Sequence, residues 1–158
     1  MTENYLKVLE ESLERKLQIM AKIQECSLSQ QEVLQAQDVN LDEFDKYVDQ
    51  KSALIEELMA LDSGFESLYR NVEQELQNNR QKYAAEIKRL QELVTRVTEE
   101  SVTIQAQEAR NKKQVEDYFR KERAGIAQNR KNSKAAFDYY KSMSGSGYAS
   151  SQFYDNKK

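Results

Sequence analysis

The sequence contains no proline, no tryptophan and no histidine, and its 158 residues include one cysteine and four glycines. Without proline and with so few glycines, nearly every residue that ends a helix is missing, which predicts long helices. The absence of histidine removes the commonest metal ligand and the usual general base. Cys26 has no second cysteine for a disulfide and reads as a small packing residue on the first helix. A Gly-rich phosphate loop, a GxSxG elbow and a cysteine pair are all lacking, so the one enzymatic option left is a carboxylate site. The 27 Asp and Glu residues are spread as pairs such as Glu10-Glu11 and Glu56-Glu57 along exposed helix faces, where solvation is their role. The expectation is therefore no enzyme, no cofactor and no metal. No uncharged apolar run approaches the ~18 residues of a membrane span. The start "MTENYLKVLEE" lacks the basic and apolar segments of a signal peptide, so a cytoplasmic protein is expected.

What is present is charge. Charged residues make up 32% of the chain and hydrophobic ones 39%, too few apolar groups to fill a globule but enough for one stripe per helix in an elongated bundle. Residues 1–109 hold 12 Lys and Arg against 22 Asp and Glu, a net of −10. Residues 110–134 hold 9 against 3, a net of +6. The basic stretch sits beside an acidic rod in a chain of net charge −3, which argues against a nucleic-acid binder.

Apolar residues at Leu6, Leu9, Leu13, Leu17, Met20, Ile23, Val33 and Leu34 recur at helical spacing and predict a first helix over about 3–37. Asn40 followed by Glu43 forms a capping box for a second helix, about 41–77, which folds back antiparallel after a short connection. From Leu41 a seven-residue series through Val48, Ile55, Tyr69, Leu76, Tyr83, Leu90, Val97 and Ile104 reads as a coiled-coil seam. The polar stretch "QELQNNRQK" places the next break at residues 77–81, with Ser63-Gly64 as the rival position. A third helix of about 81–141 follows. The chain thus reads as one all-α domain over 1–142, an elongated antiparallel hairpin or three-helix coiled coil with a long third helix, and a flexible Gly/Ser/aromatic tail over 143–158.

That third helix outruns its partners. Beyond about residue 110 it should protrude or be partly covered, carrying Val115, Tyr118, Phe119, Ile126, Phe137 and Tyr140 on a sparse stripe that a partner protein would shelter. For Tyr118 and Phe119, packing on the chain's own hairpin is the competing reading. Five of the nine tyrosines lie in the last 41 residues, and rigid aromatic area with a polar edge suits interfaces. Tyr148, Phe153 and Tyr154 in the tail are further candidate contacts, against a solvated tail as the alternative.

The first helix "YLKVLEESLERKLQIMAKI", then "LDEFDKYVDQKSALIEELMALDSGFESLY" with Lys51 in mid-helix, and the ending "KAAFDYYKSMSG" with "SQFYDNKK" resemble the FlgN-like flagellar export chaperones, relatives of the FliT chaperones. The likeness spans nearly the whole chain as a pattern of helices, charges and one tail. It implies a cytoplasmic chaperone, a monomer or weak dimer without membrane insertion. Such a protein binds the C-terminal helices of a flagellar hook-associated or cap protein through the end of its last helix and delivers it to the export apparatus, with the export gate or export ATPase components as further partners. A structural or escort coiled coil, bound to the export ATPase or self-assembling through seam residues such as Leu90 and Val97, is the alternative.

Overall fold

A computed structural model describes residues 2–123. Three helices fill this span: α1, Thr2–Gln35, α2, Leu41–Asn78, and α3, Ala84–Glu122. At about 1.5 Å per residue each is between ~50 and ~60 Å long. They run up, down and up. The architecture is all-α, and α1 is the common partner: α2 and α3 each pack along it while keeping farther from one another. The expected continuation of the third helix to 141 and the tail over 143–158 lie outside the described residues.

Local chemistry explains the ends. The Asn40 side chain accepts the backbone N–H of Glu43 at 3.1 Å, a cap worth about 1 kcal/mol. The break between α2 and α3 falls at 79–83, and α2 runs unbroken through Gly64. Asn79 closes α2 by donating from its side chain to the Glu75 carbonyl at 2.9 Å. Tyr83, buried at the turn, donates its hydroxyl to Glu75 at 3.1 Å. The Asn-Asn pair and this plugging ring make the turn, whereas Gly64 is an exposed helical residue with nothing near the place of a side chain.

The core is in two blocks. The larger holds Leu9, Leu13, Ile19 and Ile23 of α1, Leu58, Phe65 and Val72 of α2, and Leu93, Val97 and Ile104 of α3. The smaller, at the far end from the α2–α3 turn, holds Val33, Phe44, Val115 and Phe119. On α2 the fully buried line is the seven-spaced series Phe44, Lys51, Leu58, Phe65 and Val72, while Leu41, Val48, Ile55 and Tyr69 of the anticipated seam flank it half-buried. No helix among the described residues is long and apolar enough to cross a membrane.

Candidate protein-binding site

The anticipated site residues divide into three groups. Val115 is 1% exposed and Phe119 9%, both packed with Val33 of α1 and Phe44 of α2. Tyr118 is half-buried at the edge of the same block, its ring edge-on to Phe119 with centroids 5.3 Å apart. Burial and the neighbouring Glu122 push its phenol up. Ile126, Phe137 and Tyr140, with Tyr148, Phe153 and Tyr154, lie outside the described residues. The expectation of an uncovered stripe from about residue 110 is thereby corrected as far as Phe119: the chain's own hairpin shelters it.

Register is the reason. Arg89 donates to Glu10 and Glu14 at 3.1 and 3.2 Å, and Asn111 donates to the Ser27 carbonyl at 2.7 Å. This places Phe119 level with the last turn of α1, so α1 reaches along the stripe as far as Phe119. Fully burying a valine or phenylalanine is worth about 1.5–3 kcal/mol each, which favours the closed arrangement.

Between the two apolar blocks lies a polar layer. Lys51, fully buried, donates to Glu108 at 2.6 Å and to the Ser27 hydroxyl at 3.2 Å. Ser27 donates in turn to Glu108. Gln107 donates to Gln31 and to Asn111, both at 2.9 Å. On the α2 side, Gln30 reaches the Phe44 carbonyl at 3.5 Å. Burial pushes the Lys51 amine below its ordinary range, and the Glu108 carboxylate, by charge and hydrogen bond, holds it up. Cys26, donating to Gln50 at 3.5 Å, has its thiol pushed up by burial, with the Lys51 charge opposing. Neither group is built for nucleophilic work: both are packed between helices, and the raised thiol keeps its proton.

The layer is incompletely paired. The side-chain oxygens Gln24 Oε1, Gln30 Oε1, Glu108 Oε2 and Gln114 Oε1 are buried with no donor among the described residues. Each such group costs about 1–3 kcal/mol relative to a paired one. Periodicity missed this layer, although Lys51 occupies a position of the seven-spaced series Phe44, Leu58, Phe65 and Val72, and a charge in a seam position is the signal that could have found it.

A second feature opens on the surface. Because α2 and α3 both pack on α1, a cleft of 1210 Å³ separates the second half of α2 from the first half of α3. Phe65, Tyr69 and Leu76 form one apolar wall and Ile87, Leu90 and Val94 the other. Phe65 and Tyr69 stack with ring centroids 6.3 Å apart. Glu66, Arg70 and Glu73 edge the α2 side and Lys88 the α3 side, with Arg80 on the turn between them. Tyr69, Ile87, Leu90 and Val94 are half-buried, so they leave apolar area at the surface of the cleft. No family model, curated protein or solved structure matches the chain. The function therefore rests on this geometry and on the sequence pattern.

Leu90 and Val97 share a series in the sequence but not a place in the fold. Val97 is fully buried in the proximal block, whereas Leu90 lines the cleft. Val8, 44% exposed on α1, stands apart from the cleft, which is lined by no residue of that helix.

Proposed function

We propose that the chain is a cytoplasmic flagellar type III export chaperone that holds a hook-associated or cap protein by an amphipathic helix and passes it to the export apparatus. The observation that carries this reading is the apolar cleft between α2 and α3, with one apolar wall from each helix and charged residues at its edges, an arrangement that suits an amphipathic helix laid into a groove. Supporting it are the three-helix scaffold and the mid-helix Lys51 that prompted the resemblance to FlgN-like chaperones. Ile126, Phe137 and Tyr140, and the tail residues Tyr148, Phe153 and Tyr154, enter the proposal as further substrate contacts.

Calorimetric titration of the full chain with C-terminal helical segments of hook-associated and cap proteins tests it. Tyr69→Glu and Leu90→Glu each bury a charge against the guest's apolar stripe and should weaken binding at least ~tenfold, a loss of about 1.4 kcal/mol, with helix content by circular dichroism unchanged. Val8→Glu, at an exposed position of α1, which lines no part of the cleft, should bind like the wild type. Binding unaffected by either cleft variant would move the site elsewhere. Failure of every such segment to bind, with capture of an export ATPase component instead, would favour the escort alternative.

A further inference from the structure

We propose that the polar layer makes the distal end of the bundle open as a unit: the last turns of α1, the first turns of α2, and α3 from Gln107 to Arg123, while the proximal core stays folded. Three observations carry this independently of what the cleft binds. First, among the described residues the two apolar blocks share no fully buried residue, and half-buried Ile55 of α2 is the one side chain packed against both. The proximal one ends at Ile23, Leu58 and Ile104, and the distal one begins at Val33, Phe44 and Val115, with Ser27, Lys51 and Glu108 between. Dispersion and hydrophobic contacts are short-ranged, so this polar slab thins to one half-buried side chain the run of contacts that makes a helical rod melt as one.

Second, the buried side-chain oxygens lacking a donor among the described residues lie in this layer, on Gln30 of α1 and Glu108 of α3, or within a turn of it, on Gln24 and Gln114. Opening the distal end admits water to these oxygens, so the layer loses less on opening than a paired or apolar cross-section of the same size would. Third, among the described residues the distal block is small, with four buried residues against fourteen in the proximal one. Opening frees the Val115 and Phe119 stripe together with its seat on Val33 and Phe44, so that its shelter is conditional.

Amide hydrogen exchange of the full chain, resolved to residues by NMR, tests the proposal. Amides around 31–34, 44–48 and 111–119, drawn from all three helices, should exchange with one common opening free energy and one shallow denaturant slope. Their protection should lie at least ~tenfold below that of 9–23 and 93–104. Simple fraying would instead grade along each helix separately. Val115→Ala should speed exchange at all three distal segments together and leave 93–104 unchanged. The double variant Lys51→Met with Glu108→Leu, which joins the blocks through apolar contact, should slow distal exchange at least ~tenfold toward the proximal value. Equal protection of distal and proximal amides in the wild type, or equal loss in both after Val115→Ala, overturns the proposal whether or not the double variant folds. A folded double variant with unslowed distal exchange removes the layer as the boundary.

Discussion

Removing one member of the Lys51–Glu108 pair and removing both should have opposite consequences. Lys51 is fully buried and its amine lies 2.6 Å from Glu108. In Glu108→Ala the ammonium keeps the Ser27 hydroxyl but loses the carboxylate 2.6 Å away, and removing one partner of a buried pair costs about 3–5 kcal/mol. For a chain of this length each kcal/mol moves the melting temperature by about 2–4 °C, so a fall on the order of 10 °C is expected. Lys51→Met with Glu108→Leu removes both desolvation penalties and fills the space with apolar atoms, so its stability should return to within ~1 kcal/mol of the wild type or exceed it. Urea denaturation followed by circular dichroism gives both numbers.

The pH dependence adds an independent sign. Burial already lowers the Lys51 amine, and Glu108 is the main influence opposing it. Without Glu108 the folded-state value drops further below that of the unfolded chain. Between the two values the unfolded chain binds more protons, so stability rises with pH. Glu108→Ala should therefore recover stability as pH climbs toward the ordinary lysine value of about 10.4, and by more than the wild type gains. A single variant as stable as the double one, or one that weakens further as Lys51 loses its proton, would refute the reading of this pair as a buried charge held by its partner.

Two further outcomes follow from local geometry. Gly64→Ala, at an exposed helical position with nothing within 4 Å of the added carbon, should stabilise by about 0.5–1 kcal/mol, read as a rise in urea midpoint at constant slope; a loss of stability would mean that α2 bends there. At mildly alkaline pH the Cys26 thiol, raised by burial, should react with a disulfide reagent far more slowly than free cysteine and reach the free rate in denaturant; fast labelling of the native chain would contradict its burial.

Much of the fold was legible because helices announce themselves locally. The apolar stripe of α1, the Asn40 cap and the polar Asn78-Asn79 break each depend on residues within a turn or two of one another. The site was less legible because it depends on distances between helices. Whether Phe119 is sheltered depends on the register of α3 against α1, set by pairs 75 to 84 residues apart in sequence. The cleft depends on how far α2 and α3 stand apart. Lys51 was visible as a charge in a seam position, but Glu108, its counterpart, lies on another helix 57 residues away and outside the seven-residue series, so no repeat pointed to it.

That α1 serves both other helices has a consequence for biosynthesis. When the first 78 residues have left the ribosome, α1 and α2 can zip together through neighbours close in sequence. The flank of α1 that will receive Arg89, Gln107 and Asn111 is still bare. It stays so until roughly thirty more residues emerge, and at ~5–20 residues per second that is an interval of seconds. Nascent chains arrested in that interval would be the most adhesive form of this protein, ready to borrow a third helix from whichever neighbour offers one.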